Sequence, residues 1–208
     1  MVQTPTMQKC LKKSFGVDAD ILALVDKERL GQIRVDSDCE KQYDFLYIAS
    51  GEPHKNHKQL IKAWIKLAEK GFFPSLCLTL DANRFPELCA LISARAKKHG
   101  LDISMIGECS YADVQQLYRQ SGAMIYPSLF ESFGLPLIEA ATVGLPVLAS
   151  DASYVTDVIE PSATFDPVSS QSIADAVQNF SAKPATLKVQ LLDANEFLKR
   201  SFGKDMAD

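Results

Sequence analysis

The sequence predicts an α/β fold: a doubly wound parallel sheet of the Rossmann-like kind. Three observations predict it. From Asp44 onward, short apolar runs alternate with longer segments of helical period. The runs are near-continuously apolar rather than alternating, as expected of strands covered on both faces of a parallel sheet. The chain of 208 residues, 47% hydrophobic and 23% charged, suits one large domain with a core that needs no staples. Repeated strand–helix alternation implies right-handed crossovers and helices on both sides of the sheet.

The strand runs are DFLYIAS (44–50), SLCLTLD (75–81), DISMIG (102–107), AMIYPS (123–128) and PVLAS (146–150). Between the first two, Leu60, Ile61, Trp64, Ile65, Leu67 and Ala68 make one helical stripe, and Gly71 supplies the stop. A second helix over 85–100 puts Leu88, Leu91, Ile92 and Ala96 on a shared face and ends in Lys-Lys-His-Gly, cations before a glycine cap. Ser110 and Asp113 have the spacing of a capping box, opening a helix through Arg119. Residues 1–42 read differently: a strand end and short basic helix in MVQTPTMQKCLKKSFG, then a polar stretch without strong period. Two further helical patterns follow Ser169 before the chain fades in KRSFGKDMAD.

Composition removes several function classes. The net charge of −4 and pI of about 5.4 argue against a nucleic-acid binder, which would carry a basic face. Five scattered cysteines (Cys10, Cys39, Cys77, Cys89, Cys109) include no C-x-x-C pair, which fits a reducing cytosol and disfavours a zinc knuckle. Cys77, in an apolar run, reads as a small buried hydrophobe. No signal-peptide pattern or membrane-spanning run is present, which leaves peripheral membrane attachment open. No Asp-x-Asp occurs and the three histidines do not cluster, so no metal site is expected.

In doubly wound sheets ligands bind outside the carboxyl ends of the strands. The most informative loop there lies in YPSLFESFGLPLIEAATVGLPVLASD. A strand ends near Pro127, and a helix begins around Gly134, Leu135 and Pro136, with proline in the first turn where its lack of an N–H costs nothing. Backbone donors around Phe133, Gly134 and Leu135 thus point at the sheet edge and suit an anion such as a diphosphate. Glu131 precedes this helix and Glu139 lies in its first turns, among Leu137, Ile138, Ala140 and Ala141. A carboxylate so placed is either satisfied within the fold, complementing the helix dipole, or faces a cleft and accepts hydroxyl donors. The residues alone admit both readings. Trp64, Tyr118, Tyr126 and Phe133 are expected in the core rather than stacked on a ligand.

The stretch FESFGLPLIEA, followed by GLPVLASD, resembles the signature of glycosyltransferase family 4 and related retaining GT-B enzymes. There, two glutamates are separated by seven intervening residues, as Glu131 and Glu139 are. SGEPHKNHKQLIKAW resembles the family segment whose lysine sits on the donor diphosphate, the place of Lys55. SMIGECSYADVQQLY resembles a third segment, whose loop near Ile106 meets the nucleobase through backbone groups. The resemblance covers about residues 43–180, and VQTPTMQKCLKKSFG also matches the run that follows the family's N-terminal domain. Two positions depart: Ala49 stands where many members carry an arginine, and Thr156-Asp157 where Pro-Glu is usual.

What the resemblance implies is the C-terminal, donor-binding half of a GT-B fold. Residues 1–42 would be an interdomain lead-in, 43–208 the nucleotide-sugar domain, and the N-terminal acceptor domain would be absent from this chain. Lys55 and Glu131 would act in transfer; Lys55, Ile106, Glu131, Phe133, Gly134, Leu135 and Glu139 would bind the donor, with Glu131 on the sugar and Glu139 on the ribose. The substrate would be a GDP- or UDP-linked sugar and no further cofactor is expected. A mannose- or rhamnose-like hexosyl group would pass, with retention, to a glycan or lipid-linked acceptor in bacterial surface polysaccharide synthesis, in the cytoplasm or peripherally at the inner membrane. Isolated from an acceptor domain, the chain would bind donor weakly and transfer little. A non-catalytic nucleotide-binding or protein-interaction module is the alternative. An NAD-dependent oxidoreductase needs G-x-G-x-x-G after the first strand, where ASGEPHKNH offers one glycine.

Overall fold

The computed structural model describes residues 1–21, 40–182 and 190–191 of the chain. Among them, six strands form one parallel sheet: β1 (Tyr43–Tyr47), β2 (Leu76–Leu78), β3 (Ile103–Met105), β4 (Ser121–Tyr126), β5 (Val147–Ser150) and β7 (Ala163–Phe165). Their order is β3-β2-β1-β4-β5-β7. From β1 the chain winds outward through β2 to β3, then returns to β4 on the other side of β1 and winds the opposite way. The reversal falls between β1 and β4, which is where a doubly wound sheet opens a crevice. A separate antiparallel ribbon pairs β6 (Ile159–Glu160) with β8 (Gln190–Leu191).

Burial follows from that topology. Phe45, Leu46 and Tyr47 are all buried, as are residues 123–126 and 147–150. Because consecutive strand side chains point to opposite faces, unbroken burial means that both faces are covered. The helices that cover them are α2 (His57–Glu69), α3 (Pro86–His99), α4 (Tyr111–Gln120), α5 (Leu135–Thr142), α6 (Ser153–Thr156) and α7 (Ser170–Ala182). Trp64 of α2 meets Phe45 edge-on at 5.6 Å between ring centroids, and its indole N–H donates to the Pro74 carbonyl at 2.9 Å. Phe180 of α7 closes on the other side of Phe45 at 6.0 Å.

The stop signals work as expected. Gly100 caps α3 in the left-handed conformation, and Ser110 and Asp113 form the reciprocal capping box of α4. Ahead of the sheet, α1 (Pro5–Phe15) is capped by Thr4, whose hydroxyl accepts from the Met7 N–H at 3.2 Å. The Thr6 N–H donates to Asp157 at 3.0 Å, so one of the two positions that depart from the family pattern holds α1 against the domain.

Three differences from the sequence reading stand out. The predicted strand runs continue past the ladder at their carboxyl ends, where Ile48–Ser50 and Thr79–Asp81 leave the sheet. These overhanging residues become cleft wall. The sixth strand, β7, is a three-residue run inside PSATFDP, too short for a periodicity to mark it. One of the two helical patterns after Ser169 is α7; the other lies outside the described residues apart from Gln190–Leu191, which is strand. The polar stretch over 22–39 is likewise outside them.

Candidate functional site

The carboxyl ends of β1, β2 and β4, with the loop after β3, surround a cleft of about 530 Å³. On one side runs the loop after β1, on the other the loop after β4, so the cleft straddles the reversal of strand order. Lys55 ends a single 3-10 turn (Pro53–Lys55) in the first loop. Asn56 follows with φ of 62°, the one non-glycine residue of positive φ among those described. That conformation costs roughly 1–2 kcal/mol in an ordinary L-residue. The Asn56 side-chain amide offsets it by donating to the Pro127 carbonyl at 3.0 Å and the Pro167 carbonyl at 2.8 Å. Nearby, the Leu129 N–H donates to the His54 carbonyl at 2.8 Å, and the His54 ring stacks on Phe130. The two loops are thereby sewn together, and Lys55 is held at the seam.

Across the seam, the Lys55 ammonium donates to both carboxylate oxygens of Glu131, at 2.7 and 2.9 Å. Their side chains are only 16% and 10% exposed, so the pair is much less screened than a surface salt bridge. The Tyr126 hydroxyl, from the last residue of β4, donates to Glu131 at 3.1 Å. Burial, then the Glu131 charge, holds that phenol well above its ordinary pKa, so it stays a donor. Beneath it, the Tyr47 hydroxyl lies 2.8 Å from the Lys55 carbonyl and 2.9 Å from the Ser128 hydroxyl, and the Tyr154 hydroxyl donates to the Ser128 carbonyl at 2.7 Å. A floor of buried tyrosines thus fixes both loops from below.

Helix α5 opens on this cleft at Leu135. Gly134 sits at its N-cap with φ of 76°, and a Cβ there would stand 2.9 Å from the Leu137 side chain. The turn therefore needs glycine. Helix geometry leaves the first N–H groups without intrahelical partners, and the turn that begins the helix, Phe133, Gly134, Leu135 and Pro136, lines the cleft. Phe133 is buried, while Leu135 is partly exposed at the rim.

Glu139 lies one turn further in. It is 7% exposed, stands outside the cleft wall, and accepts the Tyr118 hydroxyl at 2.9 Å. Ile106 also stands apart: its N–H donates to the Leu78 carbonyl at 3.0 Å, and its side chain borders a shallower groove beside α3. Glu108 and Cys109, two and three residues on, are the members of that loop on the cleft wall. Lys55, Glu131, Phe133, Gly134 and Leu135 are therefore brought together, and Ile106 and Glu139 are set back. Sequence reasoning missed Asn56, Tyr126 and Arg84. Each lies within three residues of a strand's predicted carboxyl end or of a chosen residue, but nothing local marks its direction. Trp64, Tyr118, Tyr126 and Phe133 are buried, as expected, and what went unforeseen for Tyr126 is its place on the cleft wall with its hydroxyl on Glu131.

His57, the first residue of α2, is 3% exposed and neither ring nitrogen has a partner. Burial, reinforced by the Lys55 charge, pushes its pKa down to about 4, so the ring is neutral. Cys77 is buried as well, and burial pushes its thiol up to about 12.

Comparison with known proteins matches this architecture. The O-antigen chain mannosyltransferase RfbU of Salmonella typhimurium is 25% identical over 185 residues, covering 86% of this chain and 50% of that protein. The O-antigen chain mannosyltransferase B of Escherichia coli is 29% identical over 116 residues, covering 55% and 30%. A probable sucrose-phosphate synthase 1 of Citrus unshiu is 30% identical over 149 residues, covering 64% and 14%. The chain spans half or less of the length of these curated relatives. Anabaena HepE, solved with UDP and glucose, superposes with a TM-score of 0.69 at 16% identity, covering 89% of this chain and 54% of that one. The C-terminal domain of the LpcC protein of Francisella tularensis gives 0.59 at 22% identity, covering 78% and 85%. At such identities the likeness is one of fold, the Rossmann-like half of a GT-B protein. A family model, glycosyl transferases group 1, matches residues 32–191, a span that holds the whole sheet and every residue of the cleft wall except Gln3; the chain belongs to that family.

Proposed function

We propose that this chain is the donor-binding half of a retaining hexosyltransferase of bacterial surface polysaccharide synthesis, taking a mannose- or rhamnose-like sugar on GDP or UDP. The observation that carries the reading is the Lys55–Glu131 pair, shielded at the strand-order reversal beside the N-terminus of α5. A diphosphate entering there meets an ammonium and a helix terminus, both suited to the charge that develops on a departing phosphate. Its arrival draws Lys55 away from Glu131, whose oxygens then accept from sugar hydroxyls. Glu139, held by Tyr118, is assigned to the ribose. The reaction passes the hexosyl group to a glycan or lipid-linked acceptor held by a second domain, and the residues of this half contribute leaving-group stabilisation and positioning.

The two O-antigen mannosyltransferases among the relatives favour the polysaccharide setting, and with it the cytoplasmic face of the inner membrane. No helix among the described residues is long and apolar enough to cross a membrane, so contact there would be peripheral. Calorimetry with GDP, UDP, GDP-mannose and UDP-glucose tests the reading. Binding of one nucleotide family is expected, with Glu131→Ala weakening the sugar nucleotide more than the bare nucleotide. No binding of any of the four would sink it, and equal effects would sink the sugar role of Glu131. A second reading, a non-catalytic nucleotide-binding module, is favoured by the methyl of Ala49 on the cleft wall, where the family resemblance leads one to expect an arginine. Binding without transfer by a version joined to its acceptor domain would select it.

A further inference from the structure

Building on the donor-site reading, we propose that Arg84 supplies the second cation for the donor diphosphate, the charge that Ala49 cannot provide. Ala49 is on the cleft wall and nearly buried, so position 49 offers a methyl group and nothing cationic. Lys55 is present but engaged by both oxygens of Glu131. Among the described residues on the cleft wall there is one further cation, Arg84, which also borders the neighbouring groove and shares the cleft wall with three carboxylates, Asp81, Glu108 and Glu131. A wall with that balance repels a diphosphate unless both cations meet it.

The placement of Arg84 follows from the sheet. It lies in the loop after β2, and β2 is the direct neighbour of β1, with Phe45 opposite Leu76. The Ala49 N–H donates to the Thr79 hydroxyl at 3.1 Å, joining the two strand ends at the point where these loops depart. The Arg84 guanidinium lies 5.6 Å from the centroid of the Phe85 ring. That ring is seated on Gly51, where a Cβ would fall 2.4 Å from its nearest carbon. The Arg84–Phe85 wall is therefore docked on the same loop that carries Ala49 and Lys55. Both cations also act on Glu52 in that loop: its carboxyl is held below the usual range first by the Ser50 hydroxyl, then, against the opposing effect of burial, by its own backbone N–H and last by the charges of Lys55 and Arg84. A guanidinium reaching the cleft from β2 offers the planar fork that fits two phosphate oxygens, and it reaches them from a different strand than an arginine at 49 would.

Calorimetric titration of wild type, Arg84→Ala and the double variant Ala49→Arg/Arg84→Ala with GDP, UDP and the nucleosides guanosine and uridine tests this. Arg84 is exposed, so its replacement leaves the fold intact. The expected result is a loss of about ten- to a hundredfold in affinity for the bound nucleoside diphosphate, the size of a lost charge-assisted contact. Affinity for the nucleoside stays within about twofold, and the double variant regains most of the loss. Unchanged diphosphate affinity in Arg84→Ala, or an equal loss for nucleoside and diphosphate, would overturn the role of Arg84 while leaving the donor site standing. Failure of Ala49→Arg to restore binding would overturn the exchange between the two loops. If wild type binds neither diphosphate, the donor-site reading itself falls.

Discussion

Tyr126 spends its hydroxyl on a carboxylate that already has a cation, and that redundancy shows what it does. With Lys55 on both oxygens of Glu131, the phenol adds direction rather than charge, keeping the carboxylate against β4 when the ammonium moves away. Tyr126→Phe is expected to cost about 1 kcal/mol in urea unfolding, the usual size of one lost hydrogen bond, and to narrow the affinity gap between sugar nucleotide and bare nucleotide. A stability loss with no change in that gap would make Tyr126 purely structural. His57 gives a separate prediction. Its folded pKa, about 4, lies below its ordinary value of 6.5, so between those pH values the unfolded chain binds the proton that the folded chain refuses. Stability is therefore unaffected above pH 6.5 and falls as the pH drops toward 4, by at most roughly 3 kcal/mol. Unfolding at a series of pH values should show this slope in wild type and lose it in His57→Phe. A slope equally steep in the variant would assign acid sensitivity elsewhere.

At the scale of elements, the stitched loops are the unit that matters. Asn56→Gly keeps the left-handed backbone and removes the two amide donations to Pro127 and Pro167, whereas Asn56→Ala removes the donations and strains the backbone too. Denaturation should place Asn56→Ala about 1–2 kcal/mol below Asn56→Gly, and both below wild type. Identical stabilities for the two variants would show that the backbone relaxes. These elements also show where the sequence could be read and where it could not. Five strands were legible because each is an apolar run bounded by breakers, and α4 was legible from its capping box. The loop termini Lys55 and Glu131 were legible through their neighbours in sequence. Their pairing was not, since 76 residues separate them and only the reversal of strand order brings them face to face. Arg84 escaped for the same reason, its relation to Ala49 existing only through β1–β2 pairing. Glu139 shows the opposite limit: an apolar helix announces a special carboxylate without saying whether its partner is a ligand or Tyr118.

Taken as a whole, the molecule has a stiff interior and a sewn edge. β1, β4 and β5 are buried on both faces, while β3 is a half-buried edge strand. Hydrogen exchange should therefore be slowest in β1 and β4, approaching the rate of global unfolding, and faster in β3. Addition of the cognate nucleotide should slow exchange in the loops after β1, β2 and β4 together, since one ligand spans the three. Protection confined to one loop would argue against a shared site.

The contact between Lys55 and Glu131 has one more consequence, for what is turned away. An unliganded site that already holds its own counter-ion discriminates against partial matches. On the proposed donor reading, inorganic phosphate or a spent nucleotide would claim the ammonium only by leaving a nine-tenths-buried carboxylate with the Tyr126 hydroxyl and no cation. A sugar nucleotide would replace both halves of what it breaks, phosphate for the lysine and hydroxyls for the glutamate. Selectivity for the loaded donor, and the ready departure of the nucleotide once its sugar has gone, would then be two results of a single internal handshake.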